Sequence, residues 1–276
     1  MNRIVRNIPN TITCGNLLCG CLAIVKAFEG DLVWAAYLVG IATVLDFFDG
    51  FAARALKVSS PIGKDLDSLA DMVTFGVVPG VVMYKLMFLA KMLTDAMNVS
   101  AAPDTAALAQ ESNLLNYLYL AFIIPIFSAI RLAKFNNDSR QTESFIGLPT
   151  PANAIFFCSL PLVIEQIRRE ISEGKNPFEV LIAVSGNPLL ALFSSAWFLL
   201  ALVALFSVLL VAPLPLFSLK FKSFGWKGNE IRFIFLILSI ALLVFFKFVG
   251  IPLIIVLYIL MSVVNNLANR SKKSQA

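Results

Sequence analysis

Four aspartates are the residues of this chain whose type and spacing are best suited to chemistry. Asp46 and Asp49 are three positions apart, and Asp67 and Asp71 are four positions apart, so each pair lies on one face of a predicted helix. A short connection, residues 59–63, can bring the two pairs together. Four neighbouring carboxylates repel one another, and a divalent cation removes that repulsion. Ligation by oxygen alone suits hard ions, so the pattern predicts a Mg²⁺ or Mn²⁺ site.

The absence of histidine limits the chemistry further. With no histidine in the sequence, an imidazole zinc site and a histidine general base are both excluded, and a carboxylate must do any acid–base work. Another interpretation is that the aspartates cap helices or pair with Arg54, Lys57 and Lys64. That interpretation explains any one aspartate, but it explains the set less well.

Small residues accompany the aspartates at positions where a backbone needs close approach. They are Gly50, Ala53 and Gly63. A glycine inside a helix lowers helix stability relative to alanine, so we expect something to pack against Gly50.

The elements that must position these residues are membrane helices. Of the 276 residues, 59% are hydrophobic and the mean hydropathy is +0.84. Apolar stretches recur near the roughly 20 residues that cross a bilayer. We predict an all-α, polytopic integral membrane bundle of about eight transmembrane helices. The predicted spans are Pro9–Phe28, Leu32–Leu56, Ser68–Leu89, Leu114–Lys134, Leu148–Ile167, Pro188–Val211, Ile231–Phe248 and Ile251–Leu267.

The basic residues predict the orientation, because cytoplasmic loops carry an excess of Lys and Arg. Acidic or mixed loops lie between the basic ones, so both termini and the aspartates are expected at the cytoplasmic face of the cell (inner) membrane. The net charge of +5 then needs no nucleic-acid partner. The basic set is Arg3, Arg6, Arg54, Lys57, Lys64, Arg131, Lys134, Arg140, Lys220, Lys222, Lys227, Arg232, Arg270, Lys272 and Lys273.

The cysteines and the second half of the chain offer less chemistry. Three of the four cysteines, Cys14, Cys19 and Cys21, lie in the first apolar segment, where cysteine usually behaves as a small hydrophobe; no disulfide framework is implied. Residues 1–154 carry the polar residues with potential chemistry. Residues 155–276 are predicted to be additional scaffold helices of the same membrane domain.

The acidic stretch resembles a known family. Asp46-x-x-Asp49-Gly50-x-x-Ala53-Arg54, then eight residues, then Gly63-x-x-x-Asp67-x-x-x-Asp71 reproduces the motif of the CDP-alcohol phosphatidyltransferases. The resemblance covers approximately residues 10–154 and implies a membrane enzyme that uses CDP-diacylglycerol.

The resemblance also implies a role for each matching residue. Asp46, Asp49, Asp67 and Asp71 would form the metal site, with Asp71 also the base that deprotonates the acceptor alcohol. Contacts with CDP-diacylglycerol would come from the residues of the motif and from the Pro9-Asn10-Thr11 run, which resembles the family's other nucleotide-contacting element. The implied donor-binding set is Asn10, Thr13, Gly50, Ala53, Arg54, Ser60 and Gly63.

Flanking residues resemble the phosphatidylserine synthase branch of that family. The matching stretches are residues 67–76, 131–136 and 145–152. L-serine is then the expected acceptor, with phosphatidylserine and CMP as products. Arg131 and Lys134 are candidates to meet the serine carboxylate, although the positive-inside pattern explains them equally well.

Other functions remain open at this point. A second member of the family could use glycerol 3-phosphate, inositol phosphate or an ether-lipid donor. A cation transporter could also hold intramembrane carboxylates, but its site should lie near the bilayer midplane. Gly76-x-x-x-Gly80 predicts close helix packing, either within the fold or in a homodimer.

Overall fold

The computed structural model describes residues 3–58, 60–99, 116–137, 145–175, 179, 186–217, 225–226 and 228–274. Ten α-helices are defined within those residues: α1 Arg3–Phe28, α2 Leu32–Ala55, α3 Pro61–Asp71, α4 Val78–Val99, α5 Ile123–Asn137, α6 Thr150–Ser172, α7 Pro188–Phe193, α8 Ala196–Val211, α9 Glu230–Phe246 and α10 Gly250–Ser274. A π-helix, Met72–Val77, joins α3 to α4, and 3₁₀ turns occupy Asn116–Phe122 and Lys247–Val249. Several residues of the orientation argument, Arg140, Lys220, Lys222 and Lys227, lie outside the described residues.

Long apolar helices confirm the predicted polytopic membrane architecture. Six stretches of the described chain are long and apolar enough to cross a bilayer: Asn7–Phe28, Leu32–Ala55, Pro61–Asp95, Tyr117–Asn137, Thr150–Ser172 and Glu230–Leu267. The last of these contains the two final predicted spans and is broken at Lys247, which has a φ of 51°. The predicted sixth span contains the shorter apolar helix α8 of 16 residues.

The third predicted span needs a correction at its start. We predicted that it begins at Ser68 and that Pro61, Ile62 and Gly63 belong to a connection. Helix α3 instead begins at Pro61, because Ser60 caps it and proline is well suited to a first turn. Asp67 therefore lies inside a helix whose start is fixed by this cap, and the connection from α2 is shorter than predicted.

One face of α1 packs against the rest of the bundle. Its buried residues recur every three or four positions as Pro9, Thr13, Asn16, Gly20, Ala23 and Ala27. Such small side chains let membrane helices approach closely. At Gly20 an added Cβ would clash with Thr74 of the π-helix. Helix α1 is thereby packed against α2, α3 and the π-helix.

The π-helix lies at the junction of several helices. It contacts α1, α5 and α6, in addition to its neighbours α3 and α4. Gly76 and Gly80 pack against α5 within the chain: a Cβ at Gly76 would lie 3.3 Å from Ser128 Cβ, and one at Gly80 would lie 2.9 Å from Pro125 Cδ. The predicted close packing of this glycine pair is therefore intramolecular. π-helical turns occur frequently at functional sites.

A two-residue antiparallel pairing interrupts the helical architecture. Phe145–Ile146 (β1) pairs with Pro215–Leu216 (β2), so the chain just before α6 is tied to the chain just after α8. Gly147 makes this possible, because its φ is +80° and its amide donates to Leu214 O at 2.9 Å. Tyr258 of α10 donates to Phe217 O at 2.9 Å. Residues beyond the predicted boundary at 154 thus brace the start of α6.

Among the described stretches long enough to cross a bilayer, the one that contains the last two helices is the least buried by protein. In the most apolar 18-residue stretch of Glu230–Leu267, only 11% of the residues are buried inside the structure. The α9 side chains Val244 and Phe245 are 69% and 79% exposed. Apolar side chains without protein neighbours are stable in hydrocarbon. The Phe-rich faces of this region therefore have the surroundings expected of helices in a membrane.

Candidate active site

The four aspartates lie where α2 ends and α3 continues into the π-helix. Asp46 and Asp49 lie in the last three turns of α2, and Asp67 and Asp71 lie in the second half of α3. Carboxylate oxygens of Asp46, Asp49 and Asp67 all lie within 4.8 Å of one another. The carboxyl groups of Asp46 and Asp71 lie within hydrogen-bonding reach of each other. The structure therefore brings all four predicted acidic residues into one cluster.

Few cations balance the negative charge of this cluster: Arg131 interacts with Asp71 but forms no ion pair with it. In the described part of the chain, no ion pair includes any of the four aspartates. None of them caps a helix through its side chain either, since Ser60 caps α3 and Asp31 caps α2. The alternative that these residues are structural caps or partners of Arg54, Lys57 and Lys64 is therefore wrong.

The donor set of the cluster fits a hard divalent cation. Two ligands on opposite sides of Mg²⁺ lie about 4.2 Å apart, so oxygens of Asp46, Asp49 and Asp67 that lie within 4.8 Å of one another are close to the spacing that one ion requires. The three side chains supply only carboxylate oxygens, which Mg²⁺ and Mn²⁺ prefer. The excess negative charge of the cluster and its oxygen ligands thus both favour a divalent cation such as Mg²⁺ or Mn²⁺.

One hydrogen bond ties the cluster to α1. The Thr13 hydroxyl donates to Asp49 Oδ2 at 2.7 Å, and both side chains are buried. Such a bond to a charged acceptor is short and comparatively strong. It orients one carboxylate without neutralising it.

A cleft of about 270 Å³ opens beside the cluster, where the start of α1 meets the end of α2 and the start of α3. Six of the seven predicted donor-binding residues line it, while Asp46 and Asp71 do not. Sequence reasoning missed Val58 and Lys64. The lining residues are Pro9, Asn10, Thr13, Asp49, Gly50, Ala53, Val58, Ser60, Gly63, Lys64 and Asp67.

The cleft depends on close approach at Gly63. A Cβ there would lie 2.9 Å from Asn10 Oδ1 and 3.0 Å from Ser60 Oγ. The Ser60 hydroxyl accepts a hydrogen bond from the Gly63 amide at 3.0 Å, which caps α3. Glycine is therefore what allows the first turn of α3 to reach the asparagine of α1.

Gly50 meets a different neighbour from the one expected. A Cβ at Gly50 would lie 3.5 Å from a guanidinium nitrogen of Arg54, one turn later on the same helix, and only that guanidinium lies within 4 Å. Arg54 is exposed and does not line the cleft. The glycine therefore faces the cleft and an arginine side chain, and no second backbone from the described segments packs there.

Comparison with known proteins identifies the family. Residues 6–185 match the family model described as CDP-alcohol phosphatidyltransferase. The chain belongs to the CDP-alcohol phosphatidyltransferase family. The motif residues that carry the resemblance are the same residues that the fold gathers around the cleft and the acidic cluster.

Several relatives in this family carry the name CDP-diacylglycerol–serine O-phosphatidyltransferase. The Bacillus subtilis protein is 33% identical over 179 residues, which cover 65% of this chain and 82% of the relative. A Helicobacter pylori protein is 34% identical over 149 residues, covering 53% of this chain and 54% of the relative. A Methanocaldococcus jannaschii protein is 31% identical over 161 residues, covering 57% of this chain and 63% of the relative.

The structure separates the two cations that were predicted to meet the acceptor. Arg131 is buried and donates to Thr150 Oγ1 at 3.2 Å, which links α5 to α6. It also interacts electrostatically with Asp71. Lys134 is exposed near the end of α5. The two residues, although one turn apart in this transferase fold, therefore have different surroundings.

Sequence reasoning missed a group of buried polar residues around the π-helix. Asn16, Thr74, Ser128, Thr150 and Asn153 are all 0% exposed. Single asparagines and serines inside apolar helices give no motif, and only the high cost of burying them without partners could have drawn attention to them.

Proposed function

We propose that this protein transfers the phosphatidyl group of CDP-diacylglycerol to L-serine and releases CMP. The observation that carries the proposal is the coincidence of the acidic cluster with a cleft lined by the family's motif residues. The names of the relatives, CDP-diacylglycerol–serine O-phosphatidyltransferase, support serine as the acceptor. Phosphatidylserine is the product that this reaction adds to the membrane.

The nucleotide end of the donor is proposed to bind in the cleft. The polar groups of the cleft come from Asn10, Thr13, Ser60 and Lys64. The small residues Gly50, Ala53 and Gly63 leave space for the nucleotide. Arg54 lies beside Gly50 at the same helix end, where its guanidinium can reach phosphate. The acyl chains extend between the helices into hydrocarbon, so the reacting diphosphate sits at the level of the aspartates.

A divalent cation held by Asp46, Asp49 and Asp67, with Asp71 beside them, would neutralise diphosphate charge and stabilise the departing phosphate. The residues of the chain supply the remaining chemistry. Asp71 accepts the proton of the serine hydroxyl as that oxygen forms a bond to the phosphorus bearing diacylglycerol. The bond from this phosphorus to the oxygen of CMP breaks, and CMP leaves with the electron pair.

Arg131 and Lys134 are proposed to bind serine at the acceptor side. The buried Arg131 guanidinium interacts with Asp71 and can hold the serine carboxylate close to the base. Lys134 is exposed and adds positive charge at the entrance. This arrangement distinguishes an amino-acid acceptor from an uncharged alcohol by charge.

We place the active site at the cytoplasmic face of the cell (inner) membrane. The cleft lies at the α2–α3 connection, where Arg54, Lys57 and Lys64 are exposed. Clusters of basic residues favour the cytoplasmic side of a bilayer. CDP-diacylglycerol and serine would then both be reached from the cytoplasm. A homodimer stays a prediction, since the Gly76 and Gly80 pair is used within the chain.

The test is an assay of the purified protein with CDP-diacylglycerol, Mg²⁺ or Mn²⁺, and one acceptor at a time. The acceptors are L-serine, glycerol 3-phosphate and inositol phosphate, and the product lipid is identified by mass. We expect phosphatidylserine with serine and little product with the others. A preference for another acceptor overturns serine as the substrate, and no CMP release with any acceptor overturns phosphatidyl transfer.

A further inference from the structure

The strongest unexplained feature outside the cleft is a group of buried polar atoms without hydrogen-bond partners. Within the described residues, both amide atoms of Asn16 and of Asn153 are in this state, as are Ser128 Oγ, Arg131 Nε and Asp71 Oδ1. Nearly all buried polar groups in native proteins are paired, so such a concentration calls for a polar ligand.

Contacts between helices place the residues that carry these atoms around the π-helix. Thr74 follows Asp71 by one turn and donates to Asn16 O at 3.2 Å. Ser128 lies where a Cβ at Gly76 would approach within 3.3 Å. Arg131 follows Ser128 by one turn. The residues of α1 and α5 that carry these unpaired groups thus lie beside the segment that begins at Asp71.

Helix α6 completes this arrangement through Asn153. Arg131 donates to Thr150 at 3.2 Å, and Asn153 follows Thr150 by one turn on the same face of α6. Thr150 and Asn153 are both 0% exposed. The Asn153 amide therefore lies on the side of α6 that meets Arg131.

The position of Asp71 separates this group from the nucleotide cleft. Asp49 and Asp67 line the cleft, whereas Asp71 does not. A base between two substrates must face the acceptor on one side and the diphosphate on the other. The residues with unpaired atoms do not line the cleft either, and they lie on helices that contact the π-helix after Asp71, so we assign the acceptor to them.

We propose that Asn153 determines acceptor specificity by binding the amino-acid part of the acceptor together with Arg131. This inference rests on the proposed function. A carboxamide has both donor and acceptor atoms, so its Nδ2 can donate to the serine carboxylate and its Oδ1 can accept from the ammonium group. Asn16, whose buried amide is also unpaired, is a further polar residue beside the π-helix. An alcohol without a carboxylate leaves Asn153 Nδ2 and Arg131 Nε unpaired, and unpaired buried polar groups are an effective basis for rejecting an analogue.

The test compares L-serine with ethanolamine, which has the same hydroxyl and ammonium groups but no carboxylate. Wild type and Asn153→Ala are assayed for kcat/KM with each alcohol, and for KM with CDP-diacylglycerol. We expect Asn153→Ala to raise the KM for serine by about tenfold or more, as loss of a hydrogen bond to a charged group predicts. The serine preference over ethanolamine should fall, while the KM for CDP-diacylglycerol should change little.

Ser207→Ala is the matched control. Ser207 is another buried residue with an unpaired side-chain oxygen, but it lies on α8. The alanine variant should keep the wild-type preference for serine. If Asn153→Ala loses donor binding as well, Asn153→Ser decides, because it keeps a small polar group at the site and should also reduce the preference.

Two failures can be told apart. If wild type forms no phosphatidylserine, the proposed function is overturned and this inference falls with it. If wild type forms phosphatidylserine and the variants keep the full preference for serine over ethanolamine, only the role of Asn153 is overturned. Equal losses with both alcohols likewise overturn a role in specificity.

Discussion

The Thr13 hydroxyl donates to Asp49 Oδ2 at 2.7 Å, and this bond joins the first helix to the acidic cluster. Thr13 and Asp49 both line the cleft, so the contact orients a proposed metal ligand at the site where the nucleotide is expected. The threonine is 4% exposed and the aspartate 6%, which protects the bond from competition with water.

We predict that Thr13→Val weakens donor binding. The change keeps the side-chain shape and removes one hydrogen bond to a charged group, a loss of about 1.5–3 kcal/mol, or roughly tenfold or more in affinity. The measurement is binding of CDP-diacylglycerol in the presence of Mn²⁺. Thr11→Val is the control, because Thr11 is exposed and donates only to Asn7 O of its own helix. Similar losses in both variants would contradict a specific role for Thr13.

We predict that Gly63→Ala closes part of the cleft. The new Cβ would lie 2.9 Å from Asn10 Oδ1 and 3.0 Å from Ser60 Oγ, so these two side chains, which line the cleft, must shift. The expected result is a rise in the KM for CDP-diacylglycerol with a smaller change in the KM for serine. Gly40→Ala is the matched control, since a Cβ at this other helical glycine meets nothing within 4 Å. Unchanged donor kinetics in Gly63→Ala would show that the cleft is not the donor site.

We predict that Arg131→Ala raises the KM for serine more than the KM for CDP-diacylglycerol. Arg131 is buried and interacts with Asp71, whereas Lys134 is exposed, so Lys134→Ala should act in the same direction but more weakly. KM values for both substrates are measured for both variants. Equal effects on the two substrates would point to folding or membrane anchoring instead.

We predict different defects for Asp71→Asn and Asp49→Asn. Asparagine at 71 keeps the shape but removes the basic oxygen, so turnover should fall by roughly 10²–10⁴-fold while donor binding is largely retained. Asparagine at 49 removes ligand charge, so Mn²⁺ and donor binding should fall together with turnover. Nucleotide binding and turnover are measured on both variants in the same detergent. Near-normal activity of Asp71→Asn would mean that another group is the base.

The acidic cluster and most of the cleft could be predicted from sequence because their residues lie close together in the chain. The four aspartates lie on two neighbouring helices joined by a short connection, so their spacing alone places them together. The donor-binding residues of the motif are carried by the same hairpin. Asn10 and Thr13, on α1, could be placed there only through the resemblance to the family.

The buried polar group around the π-helix could not be predicted in this way. Asn16 and Asn153 lie on helices far apart in the sequence, and their burial depends on how those helices pack. The β1–β2 pairing likewise joins residues from distant parts of the chain, and two residues of strand give no periodic pattern. The start of α3 at Pro61 was missed because the polar first turns of that helix were taken as a loop.

The central claim is that the serine hydroxyl attacks phosphorus directly at a site that requires a divalent cation. The most direct measurement uses L-serine with heavy oxygen in its hydroxyl, CDP-diacylglycerol and Mn²⁺, followed by mass analysis of both products. The account predicts label in phosphatidylserine, none in CMP, and no turnover in excess chelator. Unlabelled phosphatidylserine, CMP release at the same rate without serine, or full turnover in chelator would contradict it.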